Sequence, residues 1–175
     1  VWGDYDNDGD PDIFVANDTT PNFLYQNNGK GTFQNIALFA GVALSMEGRP
    51  YSGMGTNFGD FDNDGDLDIV VTNFQDQTNS LYQNEQNAFF NEVSFSTGIG
   101  EKSLPYLAWG VDFVDLNNDG WQDLFIANGH LDHNISDIDP IGTYAQRNQV
   151  FMNQKGRAFI DRSATMLKQK QVSRG

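Results

Sequence analysis

The stretch Asp4-Tyr5-Asp6-Asn7-Asp8-Gly9-Asp10-Pro11-Asp12 returns almost unchanged at residues 60–68 and more loosely at residues 115–123. The first positions of the three copies lie 56 and then 55 residues apart. Each copy has oxygen-bearing side chains at loop positions 1, 3, 5 and 9 and a glycine at position 6. A hard cation such as Ca²⁺ takes roughly six to eight oxygen ligands from such a loop, and without it the carboxylates would repel one another. We therefore predict about three bound Ca²⁺ ions, one in each copy.

The residues that follow each loop exclude an EF-hand. An EF-hand carries a bidentate Glu at loop position 12 and continues as a helix, whereas position 12 is apolar in all three copies. The runs at 13–16, 69–72 and 124–127 are short and rich in β-branched and aromatic residues. This pattern predicts a strand that is buried on both faces, with the last loop carboxylate at its start.

Composition limits the classes of function. The chain has 175 residues, enough for one domain with a core, and its 18 Gly and 14 Phe favour an all-β fold rich in turns. The formal net charge is −14, and 13 of the 24 acidic residues lie in the three loops (five, five and three). There is no basic patch for nucleic acid, no apolar run that could span a membrane, and no cysteine.

Four strand signals in each period of about 55 residues predict a β-propeller. The second repeat shows the unit most clearly, with predicted strands at 53–59, 67–73, 80–84 and 89–95. We predict an all-β propeller fragment of about three four-stranded blades, each with an Asp-x-Asp-x-Asp-Gly-x-x-Asp calcium loop between strands one and two. The predicted blades are 1–44, which lacks its first strand, 45–100, and 101–165, which carries an insertion at 129–148. Residues 166–175 lead into a further blade.

Three groups of residues have both a functional and a structural interpretation. The loops could be solvated acidic turns, but three copies in register favour calcium. His130 and His133, with Asp132, could bind a transition metal, although hydrogen-bonded loop residues are the favoured interpretation. Five aromatic residues could stack against sugars, although packing between blades is favoured. These aromatic residues are Trp2, Trp109, Trp121, Tyr51 and Tyr106.

The loops and the strands after them closely resemble the FG-GAP/VCBS-type β-propeller repeats, a family that includes integrin α-subunit propellers and many bacterial surface and secreted proteins. The matching features are the acidic loop, the apolar strand that ends in Asn, and the Leu-Tyr-x-Asn segments at 24–27 and 81–84. The Asn128-Gly129-His130 step, the insertion after it and the closing Ser173-Arg174-Gly175 are similar to ASPIC/UnbV-type, cartilage-acidic-protein-like propellers.

The resemblance implies five metal ligands in each loop, of which the residue at position 7 contributes its main-chain carbonyl. The third copy departs from the pattern, because an Asn replaces the acid at position 3 and a Trp stands at position 7. We expect this loop to bind Ca²⁺ most weakly, since it offers fewer anionic ligands. The implied ligands are Asp4, Asp6, Asp8, Asp10 and Asp12; Asp60, Asp62, Asp64, Asp66 and Asp68; and Asp115, Asn117, Asp119, Trp121 and Asp123.

The sequence shows no nucleophile elbow, no cysteine nucleophile and no zinc-protease motif. We therefore predict a non-enzymatic, calcium-binding adhesion scaffold that is extracellular, at the cell surface or periplasmic. It would bind a protein or carbohydrate through its blade loops, above all through 129–148. The remaining blades of a parent chain are a further predicted partner, because repeats bury their faces against neighbours. The alternative is a calcium-dependent polysaccharide lyase or hydrolase on the same propeller, with Lys102, Arg49 and Arg147 as its basic candidates.

Overall fold

A computed structural model describes residues 1–86, 89–140, 142–167 and 172–173. Within these residues the chain forms three four-stranded antiparallel sheets, and each acidic loop connects the first and second strands of one sheet. The predicted all-β fold with three four-stranded units is confirmed. The sheets follow one another along the chain, at residues 2–35, 53–92 and 108–161.

The strands of each sheet are hydrogen-bonded in the order in which they occur. The first sheet contains β1 (Trp2–Gly3), β2 (Asp12–Val15), β3 (Phe23–Asn27) and β4 (Phe33–Asn35). The second contains β5 (Gly53–Gly59), β6 (Asp68–Asn73), β7 (Ser80–Asn84) and β8 (Phe90–Glu92). The third contains β9 (Ala108–Val114), β10 (Asp123–Asn128), β12 (Gln149–Asn153) and β13 (Phe159–Asp161). A separate pair joins β11 (Gln146–Arg147) to β14 (Val172–Ser173).

Among the residues that the structure describes, four single-turn helices accompany the sheets, and the sequence did not predict them. Three of them follow the fourth strand of a sheet, where the chain turns towards its next segment. They are α1 (Ala37–Ala40), α2 (Ile99–Ser103) and α4 (Ser163–Met166), while α3 (Ile135–Ile138) lies in the insertion. In the part of the chain that the structure describes, no helix has the length and apolar character needed to cross a membrane.

Two predicted boundaries differ from the structure. The fourth strand of the second repeat ends at Glu92, not at residue 95, because the Thr97 N–H donates to the Val93 carbonyl and starts a turn. The first sheet includes a two-residue first strand, β1, which is paired with β2, where the sequence predicted none. Residues 168–171 and 174–175, which belong to the predicted lead into a further blade, lie outside the described residues.

The second sheet is packed between the other two. Its strand β6 is buried at all six positions, as the consecutive apolar run predicted. Ile69 and Val71 belong to a core cluster shared with Phe14 of the first sheet. Val70, which points the other way, belongs to a second cluster shared with Leu124 of the third sheet. Alternate side chains of one strand therefore bury two different neighbours, as in stacked blades.

The first strands of the second and third sheets approach each other closely. A Cβ added at Gly55 in β5 would lie 2.1 Å from the main-chain oxygen of Trp109 in β9. The same oxygen accepts a hydrogen bond from the Thr72 hydroxyl, which ties the two sheets together. Gly55 is therefore required by the contact between sheets and not by an unusual backbone conformation.

Gly55→Ala should lower the free energy of unfolding by about 1–3 kcal/mol, because the added methyl group forces two sheets apart. Gly110→Ala in β9 is the matched control, since an added Cβ there meets no atom within 4 Å. Urea denaturation of both variants measures the difference. Equal stabilities of the two variants would contradict the close approach of β5 and β9.

Candidate metal centre

The three acidic loops share one backbone conformation. The Asn at position 4 is left-handed in each copy, with φ of 58° at Asn7, 58° at Asn63 and 57° at Asn118. The glycine at position 6 also has a positive φ, of 93°, 94° and 85° in the three copies. Asn and Gly are the residues that adopt this region most readily, which explains their place in the motif.

The carboxylate at position 1 organises each loop by accepting two main-chain N–H groups, those of positions 5 and 6. The distances are 3.0 and 3.0 Å at Asp4, 3.1 and 3.1 Å at Asp60, and 3.1 and 2.9 Å at Asp115. The side chain at position 5 in turn accepts the N–H of position 7, at 2.9, 2.9 and 3.0 Å. These bonds hold the carboxylates on the inside of the loop, where a cation would lie.

The aspartate at position 9 is fully buried in every copy, as Asp12, Asp68 and Asp123. Each accepts the N–H of loop position 2 and the N–H of the Asn that ends the third strand of its sheet, at 2.7 to 3.2 Å. Burial raises the pKa of Asp12 to about 6 and that of Asp68 to about 8, despite these bonds. Burial therefore disfavours the charged form of both carboxylates, and a nearby cation would favour it.

Carboxylate oxygens converge in the first two loops. Those of Asp4, Asp6 and Asp8 lie within 4.8 Å of one another, and those of Asp60, Asp62 and Asp68 do the same. Oδ1 of Asp62 is buried without a hydrogen-bond donor, which is costly unless a cation or water satisfies it. The atoms that could bind a metal here are all hard oxygen atoms, so the residues fit Ca²⁺.

The third loop is different. It has three acidic residues instead of five, and within the described residues it forms no cluster of three carboxylates like those of the other loops. At position 3, Asn117 donates its side-chain N–H to Asp119 at 2.9 Å. An amide that binds a neighbouring acid in this way replaces one of the anionic ligands available in the other two loops.

The position 7 residues occupy different surroundings in the three copies. The Asp66 carboxylate accepts the side-chain N–H of Asn7 from the first loop at 2.7 Å, so this carboxylate contacts a neighbouring loop. Asp10 lies against the hairpin turn at Gly29, and Trp121 lies against the turn at Gly156. The expectation that only the carbonyl of position 7 binds the ion remains a prediction.

Sequence reasoning missed a glutamine that contacts the acid at position 3. Gln26 donates to Asp6 Oδ2 at 2.6 Å, and Gln83 donates to Asp62 Oδ2 at 2.6 Å. The corresponding residue in the third repeat is Met152. The signal was present in the sequence, since Gln in the third strand occurs with Asp at position 3 and Met occurs with Asn.

The alternative metal site in the insertion is not assembled. His130 is buried, its Nδ1 accepts the main-chain N–H of Asp132 at 3.0 Å, and its ring lies edge-on to Phe74. His133 is exposed. Across the described ranges these residues form no group that could hold a metal. The hydrogen-bonded, structural interpretation of His130 therefore agrees with the geometry.

The insertion is anchored to the second and third repeats at several points and is exposed at others. Trp109 donates its indole N–H to the Gly129 carbonyl at 2.7 Å, so this aromatic residue has a packing role. The amide of Gln75, from the second repeat, donates to Asp139. Leu131 and Ile138, by contrast, are 57% and 73% exposed.

Three face-packed, four-stranded sheets, each with the same acidic loop between its first two strands, define a propeller-like repeat protein. The family model for the FG-GAP-like repeat matches residues 4–71 and 60–126, and the chain belongs to this family. The predicted resemblance to FG-GAP propellers is thus confirmed.

Among curated proteins, the chain is 35% identical over 118 residues to cartilage acidic protein 1 of Xenopus tropicalis, Homo sapiens and Mus musculus. Each match covers 67% of this chain and 17% of the relative, so the chain spans about a sixth of the relatives' length. A solved structure on the recognition of non-reducing terminal N-acetylglucosamine by an Agrocybe aegerita lectin is similar with a TM-score of 0.54. That likeness covers 91% of this chain and 36% of the lectin at 17% identity, and it concerns the fold alone.

Asn117→Asp combined with Met152→Gln should bring the Ca²⁺ affinity of the third loop towards that of the other two. The pair restores both the missing carboxylate and the glutamine that contacts it in the first two repeats. Asn117→Asp alone should tighten the site less, because Met152 offers the new carboxylate no donor. Calorimetric titration of both variants measures the change. If the Ca²⁺ affinity of the third loop were unchanged in the double variant, this explanation of its weaker binding would be contradicted.

Proposed function

We propose that the chain is a calcium-binding scaffold in which one Ca²⁺ ion holds together the first hairpin of each sheet. The observation that carries the proposal is the buried carboxylate at position 9 of every loop, which is bonded to peptide N–H groups. The unpartnered, buried Oδ1 of Asp62 supports it independently. Structural metal sites of this kind link binding to folding, because the unfolded chain has no assembled site.

The residues that would hold the ion are those of the acidic loops. In the second loop they are Asp60, Asp62, Asp64 and Asp68 with the Asp66 carbonyl, and the first loop offers the equivalent set. In the third loop Asn117 and the Trp121 carbonyl take the corresponding places. Calcium supplies positive charge that compensates these carboxylates when they are ionised.

Removal of calcium should lower the melting temperature, and the effect should increase with pH. The raised pKa values of Asp12 and Asp68 mean that the metal-free fold is most stable while these groups are protonated. That stability is lost as the pH rises from the ordinary carboxyl pKa of 3.8 through the folded values of about 6 and about 8. The melting-temperature difference between calcium and chelator should therefore be larger at pH 8.5 than at pH 5.

Asp64→Ala should reduce the calcium stoichiometry by one ion, as measured by calorimetry. Asp18→Ala removes the same charge from an exposed position outside the loops and serves as the matched control, with no ion lost. A stoichiometry of zero in the unmodified protein, or melting that is indifferent to chelator at pH 8.5, would refute the proposal.

The cellular location of the protein follows from the same proposal. Loops of this type suit the millimolar Ca²⁺ found outside cells better than the cytosol, and relatives of the chain are named cartilage acidic protein. We therefore assign the protein to an extracellular, cell-surface or periplasmic location. The exposed face of the first sheet, where Trp2 is 66% exposed, would pack against further blades of a parent chain.

The partner of the scaffold would be a protein or carbohydrate bound by the loops opposite the acidic loops, above all by 129–148. Leu131 and Ile138 provide exposed apolar contacts there. A carbohydrate-active enzyme is the second candidate, and one observation favours it. Arg49 lines a cavity of about 310 Å³ together with Tyr51 and Gln75, so one of the three basic candidates has a cleft beside it.

Incubation with a panel of acidic polysaccharides separates the two candidates. For a scaffold we expect no chain cleavage, and any binding that occurs should weaken when Leu131 and Ile138 are both replaced by Ser. Product formation that survives purification and is lost in Arg49→Ala would establish the enzyme instead. Arg157→Ala, which changes another surface arginine outside that cavity, is the control for charge.

A further inference from the structure

The buried carboxylates of the first two loops are joined by a continuous path of hydrogen bonds. The main-chain N–H of Asn84 donates to Asp68 Oδ1 at 2.8 Å. The side-chain Nδ2 of the same residue donates to the carbonyl of Tyr5, in the first loop, at 2.8 Å. Tyr5 in turn donates its N–H to Asp12 Oδ2 at 3.2 Å. Two residues thus connect the position 9 aspartates of neighbouring loops.

The same path joins the second and third loops. Asn153 donates its main-chain N–H to Asp123 Oδ1 at 2.7 Å and its side-chain Nδ2 to the Phe61 carbonyl at 2.7 Å. Phe61 donates its N–H to Asp68 Oδ2 at 3.0 Å. Asp68 therefore belongs to both paths, one through each of its oxygen atoms.

The connecting residues are buried, and each Asn contacts two loops at once. Asn84 and Asn153 are each 3% exposed, and Tyr5 and Phe61 are each 1% exposed. Besides the bond to the preceding loop, Nδ2 of Asn84 donates to the Leu67 carbonyl of its own loop at 3.2 Å. In a water-excluded environment such bonds cannot be exchanged for bonds to solvent, so a shift of one loop displaces the other.

In the first repeat, the equivalent Asn makes the bonds within its own loop but none to another loop. Asn27 donates its N–H to Asp12 Oδ1 at 2.8 Å and its Nδ2 to the Pro11 carbonyl at 3.1 Å, both in its own loop. Its Oδ1 accepts the N–H of Gly29, as Oδ1 of Asn153 accepts that of Gly156. Asn84 and Asn153 therefore make such own-loop bonds and, in addition, a bond to the preceding loop.

A second set of bonds joins the loops at the surface. Asn7 of the first loop donates to Asp66 of the second at 2.7 Å. Asn63 of the second loop donates to the Gly120 carbonyl of the third at 2.9 Å. Both donors are exposed, so solvent competes with these bonds, and they reinforce the buried path without replacing it.

We propose that cation binding at neighbouring loops is coupled, so that occupancy of one loop raises the affinity of the next, with Asn84 and Asn153 as the positioning residues. This inference rests on the proposed function. An ion that fixes the second loop also fixes the Phe61 carbonyl, which orients the Asn153 amide. The N–H of Asn153 is then already aligned on Asp123 when the third loop binds its ion. Such a coupling is reciprocal, because each loop biases the same shared residue.

A calcium titration followed by NMR can read the third loop separately, because the main-chain N–H of Asp119 lies within that loop and donates to Asp115. Loss of the second site by Asp64→Ala should weaken Ca²⁺ binding at the third loop, followed at the Asp119 amide, by about fivefold or more. In an Asn153→Leu background, Asp64→Ala should have a much smaller effect, because only the surface bond between these two loops remains.

Asn27→Leu is the matched control, because it removes the side-chain bonds of an equivalent Asn, to the Pro11 carbonyl and from the Gly29 N–H, and this Asn makes no bond to a preceding loop. In that background the effect of Asp64→Ala on the third loop should persist in full. Equal Ca²⁺ affinity of the third loop with and without Asp64→Ala would overturn the coupling while leaving the calcium-binding function intact. Absence of any calcium-dependent shift at the Asp119 amide, together with no calcium binding by calorimetry, would instead overturn the function itself.

Asn153 is buried, so Asn153→Leu is accepted only if its circular dichroism spectrum matches that of the parent. If it does not fold, the comparison with and without Asp64→Ala still tests the coupling in the unmodified background. Asn63→Gly then provides a second variant, since it removes the surface bond between the same two loops and keeps the left-handed backbone that this position requires. It should reduce the effect of Asp64→Ala only in part, and a complete loss would assign the coupling to the surface bond instead.

Discussion

The second strand of every sheet begins with an aspartate whose carboxylate is buried and bonded by two peptide N–H groups from different parts of the chain. One N–H comes from the loop, at position 2, and the other from the end of the third strand. The loop and the second and third strands of a sheet are therefore held around a single carboxylate. Because burial disfavours the charged carboxylate and a cation would offset that cost, the fold and the proposed metal both involve the same residue.

Repetition of this arrangement determines how the sheets associate. Position 2 places Tyr5 and Phe61 in the core between sheets, each with a centroid distance of 5.8 Å to an aromatic ring, that of Phe90 and Phe159 respectively. The carbonyl of each accepts the Asn amide of the following sheet. The equivalent Leu116 is 38% exposed. A loop that could have been only a local metal site is thus also part of the contact between neighbouring sheets.

Much of the fold and of the candidate site could be predicted because the motif repeats. The consecutive apolar run Ile69–Val71 correctly indicated a strand with both faces buried, and the glycine at position 6 indicated the sharp turn observed in the loop. The contact between Gln83 and Asp62 could not be predicted from one repeat, because it joins residues 21 positions apart. The single-turn helices were missed since four or five residues carry no periodic signal.

By itself, the sequence determined the number of repeats, the position of each acidic loop and the oxygen donors available to a cation, because these depend on residue type and short spacing. Only the tertiary structure decided which carboxylate is buried, which amide joins one loop to the next, and why Gly55 cannot carry a side chain. These features arise where separate repeats meet. Burial and distance between residues such as Tyr5 and Asn84, 79 positions apart, are fixed by the packing of whole sheets and not by local sequence.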